Sequence, residues 1–344
     1  MLPKPYSPRL ILAVAVTLAI IVCMSALMVG HYAIPPSDVL PLLWGKLIGT
    51  MFGDTHNAVD NADIVLFSIR GPRIIAAFVV GGALASAGAA YQNLFRNPLV
   101  SPDILGVSSG AALGAVLAIF FALPIIAIQG MAFAGGFTAV AAIYLIGERI
   151  RGHDPVLTLV LAGVVVGSLL GSGVALTKYL ADPYNQLPAI TYWLLGSFAR
   201  ITNADLVVAI PIILISMVPL ALLRWRINLL ALPDDEARAL GVNVQRLRFI
   251  VIVSATLMTA ASVAICGIIG WVGLVVPHAV RLLVGAEFSR LLPLAILIGG
   301  TFMVAVDTTG RSIAQIEIPP GVLTAAIGTP IFIWLMTMTF RRRT

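Results

Sequence analysis

The residues of this chain that could carry out chemistry are few and widely separated. Its one Gly-Lys pair, Gly45-Lys46, lacks the earlier glycine and the following hydroxyl residue of a phosphate-binding loop, so we do not expect ATP hydrolysis. No His-Glu-x-x-His motif or Cys/His cluster is available to hold a metal. Asp307, His278 and Lys178 lie near the ends of apolar segments, whereas a proton- or sodium-coupled carrier normally has an ionisable group at mid-membrane. We therefore predict that the chain is not an enzyme and needs no cofactor or metal of its own.

Among the arginines on the predicted outer side of a membrane, three are candidates for a docking surface. Arg70 and Arg73 directly precede an apolar segment, and Arg311 follows another, four residues after Asp307. Because arginines are scarce on this side, we expect Arg70 and Arg73 to point to water. They would act either as interfacial anchors or as a docking site for an acidic protein. Arg311 would extend the same basic surface, although Asp307 could neutralise it.

On the predicted cytoplasmic side, an acidic segment has the pattern of a short helix. Pro233 and Asp234 can begin it, acidic side chains fill its first turn, where the helix dipole favours them, and Gly241 can end it. Side chains spaced by three and four residues would offer a small face to a cytoplasmic partner; the alternative is a solvated connecting helix. The acidic turn consists of Asp234, Asp235 and Glu236, and the face of Leu232, Glu236, Ala237 and Leu240.

A second cytoplasmic connection, Gln92–Gly106, is polar and is broken twice by proline. It joins two glycine-rich apolar segments. Irregular backbone at such a depth must be surrounded by protein or line a water-filled cavity, so we predict that this segment lines a passage. An ordinary loop is the alternative.

Composition places all of these segments in lipid. The 344 residues are 60% hydrophobic and 10% charged, with a mean hydropathy of +1.03, whereas soluble domains have about 25% charged residues. Each apolar stretch of about 20 residues can cross a bilayer as a helix. We predict an all-α membrane protein that forms one membrane domain over residues 1–344. Its ten predicted spans are 9–31, 74–95, 105–122, 124–147, 156–180, 205–224, 247–265, 267–284, 290–309 and 321–340.

Ten spans place both termini on one side of the membrane, and charge predicts that this side is the cytoplasm. Most of the 21 Lys and Arg residues then lie inside, as the positive-inside rule requires. This explains the isoelectric point of about 9.7 without a nucleic-acid partner. We interpret Leu10–Val29 as a retained first helix, because it is long and lacks an Ala-x-Ala cleavage pattern. The basic residues predicted inside are Lys4, Arg9, Arg96, Arg149, Arg151, Arg224, Arg226, Arg238, Arg246, Arg248, Arg281, Arg290, Arg341, Arg342 and Arg343.

Small residues at four-residue spacing predict close helix contacts in two spans, because they let helix backbones approach in lipid. The apolar stretch Leu187–Ile201 is too short to span and predicts a re-entrant or interfacial helix. The two small-residue stripes are Gly106, Gly110 and Gly114, and Gly163, Gly167, Gly171 and Ala175.

With these motifs in this order, the chain resembles the FecCD family. These are permease subunits of type II ABC importers for iron-siderophore complexes, haem and cobalamin. The motifs that carry the resemblance are Arg70-Gly-Pro-Arg73, Asn97-Pro-Leu-Val-Ser-Pro102, Leu105-Gly106, Leu161-Ala-Gly163, Trp193-Leu-Leu-Gly-Ser197, Glu236-Ala-Arg-Ala-Leu-Gly241, Gly270-Trp-Val-Gly-Leu-Val-Val-Pro-His-Ala-Val-Arg281, Asp307-x-x-x-Arg311, Glu317-Ile-Pro-Pro-Gly321 and Gly328-Thr-Pro-Ile-Phe332.

The resemblance implies a multi-pass protein of the cell inner (cytoplasmic) membrane. Its partners would be a second permease subunit, forming a homodimer, two cytoplasmic ATPase subunits that use ATP and Mg²⁺, and one periplasmic or lipid-anchored binding protein. It also implies a role for each matching motif. Arg70, Arg73 and Arg311 would dock the binding protein; Asn97, Leu99, Pro155, Val156 and Leu157 would form the translocation path and its cytoplasmic gate; and Pro233, Asp234, Asp235, Glu236, Ala237, Leu240 and Gly241 would form the coupling helix, over about 233–241, that meets the ATPase.

The cargo is the part of the function that the sequence leaves open. We expect a ferric siderophore first and haem second, with cobalamin or an oxyanion such as molybdate as alternatives. A path of this kind can be lined by weakly interacting groups, because selectivity is delegated to the binding protein. From other functional classes, an ATP-independent channel or carrier remains an alternative, as does a membrane-embedded scaffold or enzyme; each leaves the acidic cytoplasmic helix unexplained.

Overall fold

The computed structural model describes residues 8–30, 32, 34–52, 61–149 and 155–341. Over these residues the chain forms helices and connecting turns, without a strand. Four of the basic residues that contribute to the predicted orientation lie outside the described residues: Lys4, Arg151, Arg342 and Arg343.

The helices follow one another with short connections, and we number the longer ones and the short helix Asp234–Ala239 in chain order. They are α1 (Pro8–Met28), α2 (Pro36–Phe52), α3 (Asn61–Leu94), α4 (Val107–Phe120), α5 (Ile125–Arg149), α6 (Pro155–Leu180), α7 (Gln186–Leu194), α8 (Asn203–Leu222), α9 (Asp234–Ala239), α10 (Val244–Cys266), α11 (Val272–Val284), α12 (Phe288–Gly310) and α13 (Pro320–Arg341).

The predicted all-helical membrane architecture is confirmed. Among the described residues, eight helices are long and apolar enough to cross a membrane, and two shorter apolar helices, α4 and α11, occupy the remaining predicted positions. The short helix α7 lies where the sequence predicts a segment too short to span. Length and hydropathy were sufficient to place these elements, because a helix in lipid must satisfy its own backbone hydrogen bonds.

Two helical regions differ from the prediction. No span is predicted between residues 31 and 74, but this region contains α2, and α3 begins at Asn61 rather than near residue 74. The extra part of α3 includes a π-helical stretch, Ile64–Arg70, which leads directly into the α-helix at Gly71. The interspersed proline, asparagine and acidic residues hid this region because they lower its average hydropathy without preventing helix formation.

Glycines allow the closest helix contacts in the core. A methyl group added to Gly81 of α3 would overlap the backbone of Gly299 of α12, and one added to Gly110 of α4 would overlap the backbone of Gly135 of α5. In lipid such approaches gain dispersion contacts that larger side chains would prevent. The Gly81–Gly299 contact packs α12 directly against α3, which is almost entirely buried.

Both predicted small-residue stripes pack as expected only in part. Gly110 lies in a close helix contact, whereas Gly106 has a φ of +68° and ends the turn before α4. On α6, Gly163 lies against the backbone of Ile104, but no atom lies within 4 Å of a methyl group placed on Gly171. Much of α6 therefore exposes its surface in the single chain.

Candidate functional site

The predicted site residues fall into three groups, two of which lie at opposite ends of the α-helical part of α3, Gly71–Leu94. Arg73 is near the start of this part and Arg96 follows its end, so a rise of 1.5 Å per residue separates the two groups by about 35 Å. We call the first group the arginine cluster and the second the Asp234 cluster. The arginine cluster consists of Arg70, Arg73, Asp307, Arg311 and Glu317, and the Asp234 cluster of Arg96, Asp234 and Arg248.

Arg73 holds two carboxylates at once. Its Nε donates to Oδ2 of Asp307 at 2.8 Å and its Nη2 donates to Oδ1 at 2.9 Å. Its Nη1 and Nη2 each donate to an oxygen of Glu317 at 2.9 Å. The side chain of Asp307 is 2% exposed and that of Glu317 is 35% exposed. Arg73 thus joins α3 to α12 and to the connection before α13, through the fork geometry in which arginine pairs most strongly with carboxylates.

Arg70 and Arg311 bind the carboxyl end of α1. Arg70 donates from Nη1 to the carbonyl oxygen of Leu27 at 2.6 Å and from Nη2 to that of Tyr32 at 2.5 Å. Arg311 donates from Nη2 to the carbonyl oxygen of Ala26. The last carbonyls of a helix have no partners within it and carry the negative end of its dipole, so two guanidinium groups stabilise this end.

The expectation that Arg70 and Arg73 point to water is wrong. Arg70, Arg73 and Arg311 are 4%, 8% and 6% exposed in the chain. The physical reason is the early start of α3, which places Arg70 within the helix and level with the end of α1. Whether the cluster also docks a binding protein is a separate question, and that role stays a prediction.

The acidic segment at the other end of the bundle folds as predicted from its local pattern. Helix α9 covers Asp234–Ala239, with Pro233 directly before it, and Gly241 follows with a φ of +80°. The predicted partner-facing side, however, is divided. Ala237 is buried against the core, whereas Glu236 and Leu240 are exposed, so Ala237 is not available to a cytoplasmic partner.

Asp234 is held from both sides by arginines. Nη2 of Arg96 lies 2.7 Å from its Oδ1, and Nη2 of Arg248 lies 3.0 Å from its Oδ2. Partial burial by itself would raise the pKa of Asp234, but attraction to Arg248 and the hydrogen bonds from both arginines outweigh it and lower that pKa. The carboxylate is therefore ionised at neutral pH. Sequence reasoning missed both arginines as site residues; the position of Arg96 directly before Asn97 was the available signal.

The third group contains the predicted gate residues, which lie in the turn that follows α3 and at the start of α6. Asn97 and Leu99 are exposed, and Oδ1 of Asn97 accepts a hydrogen bond from the backbone N–H of Leu99 at 2.9 Å. Leu157 is exposed on α6 and Val156 beside it is half-buried. Pro155 begins α6, and its side chain lies outside the described residues. The connection between α3 and α4, which contains Asn97 and Leu99, meets α6 where Gly163 packs against Ile104.

Comparison with known proteins extends over nearly the whole chain. The model of the FecCD transport family matches residues 17–338. The molybdate import system permease protein MolB of Haemophilus influenzae is 38% identical over 333 residues, which cover 96% of each chain. The Fe(3+) dicitrate transport system permease protein FecD of Escherichia coli is 38% identical over 335 residues, covering 95% of this chain and 98% of FecD.

A solved structure shows that the likeness is also three-dimensional. It is an inward-facing conformation of an ABC transporter assigned to the metal-chelate type. It is 37% identical in sequence, has a TM-score of 0.84, and covers 95% of this chain and 99% of its own. The resemblance inferred from the motifs is thereby confirmed over the length of the chain. This chain belongs to the FecCD transport family and is a multi-pass ABC transporter permease of the cytoplasmic membrane.

Proposed function

We propose that the chain is the membrane-spanning subunit of an ABC importer that carries an iron complex into the cytoplasm, a ferric siderophore first and haem second. The observation that supports it most is the FecCD match over residues 17–338, together with a ferric dicitrate permease at 38% identity. The arrangement of the chain agrees with this role. A central helix, α3, joins a charged cluster at one end to a cytoplasmic helix and a gate turn at the other.

A molybdate importer is the second candidate. MolB, a molybdate import permease, is as similar to this chain as FecD is, at 38% identity over 96% of both chains. Two permeases with such different cargo at equal identity fit a path in which selectivity is delegated to a binding protein. Cobalamin remains a further alternative, and an ATP-independent channel or carrier is the alternative of another class.

The proposed assembly has five subunits. Two copies of this chain form a homodimer around the path, each copy a single permease domain of residues 1–344 with both termini in the cytoplasm. Two cytoplasmic ATPases use ATP and Mg²⁺, and one periplasmic or lipid-anchored binding protein delivers cargo. Helix α9 serves as the coupling helix because it exposes Asp235, Glu236 and Leu240 beyond the ends of the spans.

The proposed cycle converts ATP binding into gate movement. Closure of the ATPases moves α9, the path opens outward to the docked binding protein, and hydrolysis resets it. Asn97 and Leu99 with Pro155, Val156 and Leu157 close the cytoplasmic end. Exposure of the described gate side chains Leu99 and Leu157 in the single chain fits surfaces that face a path between two copies.

The docking role of Arg70, Arg73 and Arg311 is part of this proposal and needs a test that does not disturb folding. All three are buried, so reversing their charge would also break internal contacts. Glu317 is the more exposed partner of Arg73 and occupies one edge of its guanidinium. Replacing Glu317 by Ala removes a negative charge and frees that edge, so an acidic binding protein should dock several-fold more tightly at low salt. An affinity that does not change would count against docking at this cluster.

The cargo is tested by uptake. The chain would be reconstituted with its partner ATPase and binding protein, and uptake of a radiolabelled ferric siderophore would be measured against unlabelled siderophore, haem, cobalamin and molybdate. We expect only iron complexes to compete. Competition by molybdate alone would replace the iron assignment with the second candidate.

A further inference from the structure

The Asp234 cluster joins three parts of the chain that are distant in sequence. One carboxylate receives Arg96 from the end of α3 at 2.7 Å and Arg248 from the start of α10 at 3.0 Å. Nε of Arg96 also donates to the buried carbonyl of Leu230, just before α9, at 2.9 Å. Asp234 is the first residue of α9, so this helix is attached at its beginning to two other helices of the bundle.

Arg96 is fixed through its backbone as well as its side chain. Its φ is +50°, a left-handed conformation that non-glycine residues rarely adopt. Its N–H donates to the carbonyl of Asn93 at 3.3 Å, and that of Asn97 donates to the carbonyl of Gln92 at 3.1 Å, which ends the helix in the manner of a left-handed cap. Glycine would fit this backbone position with less strain. The arginine is favoured here by the bonds of its guanidinium, whose loss would leave the cap geometry intact.

The gate turn follows Arg96 without an intervening residue. Asn97 accepts the N–H of Leu99 on its side chain at 2.9 Å and that of Val100 on its carbonyl at 3.4 Å. Leu99, the exposed gate residue, is thus held in a turn built on Asn97. A displacement of Arg96 must displace this turn, because peptide geometry allows only about 3.8 Å between successive Cα atoms.

Asp235, the next residue of α9, is arranged differently from Asp234. The side chain of Asp235 is 96% exposed and, among the described residues, pairs only with Arg238 of the same helix, at 3.1 Å. That of Asp234 is 25% exposed and faces the bundle. Two neighbouring carboxylates of α9 therefore face opposite ways. Asp235 points toward the cytoplasm, whereas Asp234 pairs with arginines that follow α3 and begin α10.

We propose that Asp234 is the joint through which α9 moves the gate, with Arg96 transmitting the displacement to the Asn97–Val100 turn and Arg248 fixing the pivot on α10. This inference rests on the proposed function, since it assigns the residues that carry the coupling. Asp234 and Arg96 act as positioning residues: neither touches the cargo or nucleotide. Asp234 contributes its internal ion pairs, and the contact with the ATPase is left to Asp235, Glu236 and Leu240.

The test measures gate movement without reference to cargo. Leu99→Cys, in a chain with Cys23→Ala and Cys266→Ala, is assembled in lipid with the partner ATPase, and its labelling by a water-soluble maleimide is followed with and without ATP. Asp234→Asn is compared with Glu287→Gln, which removes an acidic side chain from an ion pair with Arg290, at 2.7 Å, outside α9 and outside the proposed ATPase contact. Arg96→Gly keeps the left-handed turn and removes the guanidinium, and Arg96→Lys keeps a charge that can reach Asp234.

We expect the ATP-dependent change in labelling rate to fall about tenfold in Asp234→Asn and in Arg96→Gly, the size expected for loss of a charge-assisted hydrogen bond. It should stay at the parent value in Glu287→Gln and recover in part in Arg96→Lys. The ATPase should co-purify equally with all variants. An unchanged response in Asp234→Asn, or loss of ATPase binding in that variant alone, would overturn the inference. A parent that shows no response to ATP would instead refute the proposed function.

Discussion

The arginine cluster gives the sharpest prediction about stability. The perturbation is Arg73→Ala, which removes the only side chain that donates hydrogen bonds to Asp307 among the described contacts. The nearest remaining cation is Arg311, whose Nε is 4.0 Å from Oδ2 of Asp307 and makes no hydrogen bond there. A carboxylate with 2% exposure would then be buried almost without compensation.

The expected magnitude follows from that burial. Breaking a buried ion pair by removing one partner costs about 3–5 kcal/mol, whereas a pair with one well-exposed member contributes about 0–1 kcal/mol. Arg73→Ala should therefore lower the free energy of unfolding by about 3–5 kcal/mol. Glu317→Gln should lower it by at most about 1 kcal/mol, because the Glu317 side chain is 35% exposed. At roughly 2 °C per kcal/mol for a large chain, the melting temperatures should fall by roughly 6–10 °C and roughly 2 °C, respectively.

The assay is thermal unfolding of the purified protein in detergent, at one scan rate, with a double-mutant cycle. Arg73→Met and Asp307→Leu are measured singly and together. The double variant should lose less stability than Arg73→Met alone, because it leaves no buried charge without a partner. If the two losses simply add, or if Glu317→Gln costs as much as Arg73→Ala, the reasoning from burial is refuted.

Three further predictions concern packing, capping and coupling. Gly110→Ala should destabilise the protein by about 1–3 kcal/mol through overlap with α5, whereas Gly171→Ala, which meets open space, should leave the melting temperature unchanged. Asn243→Ala should cost about 1 kcal/mol of unfolding free energy, because the Asn243 side chain accepts the N–H of Arg246 at 3.0 Å to cap α10; an unchanged melting temperature would contradict this. Ala239→Pro should break the last turn of α9. ATP hydrolysis should then continue while uptake falls at least about tenfold. Normal uptake by this variant would show that α9 is not part of the coupling path.

Much of the fold could be predicted because membrane spans are determined locally. Twenty apolar residues in sequence are enough to indicate a helix, and all ten predicted positions contain one. The exceptions were α2 and the beginning of α3, where proline and acidic residues interrupt the apolar pattern. A hydropathy average over such a segment is too low to indicate a span, although the segment still forms a helix.

The arginine cluster shows where local reasoning stops. Arg70, Arg73 and Arg311 were predicted to be functional residues, but their burial inside the bundle was not predicted. Arg73 pairs with Asp307, 234 residues away, and with Glu317, 244 residues away. No spacing rule relates residues that meet only after the helices have packed, so an outward surface and a buried network have the same sequence pattern.

The Asp234 cluster has the same explanation on a smaller scale. The acidic first turn and Gly241 were sufficient to predict α9, because capping and the helix dipole act within one turn. The partner Arg96 is 138 residues from Asp234 and could not be assigned from the pattern. Ala237 was placed on the exposed face for a related reason: helical spacing gives which residues share a side, but not which side is buried.

The central claim, import driven by a partner ATPase, is tested most directly by uptake into proteoliposomes that contain this chain with its ATPase. The binding protein and cargo are added outside, and ATP is placed inside or withheld. The account predicts uptake only when ATP, the ATPase and the binding protein are all present, and no uptake when the ATPase cannot hydrolyse ATP. Uptake at the same rate without ATP would contradict it and would make the chain a channel or carrier.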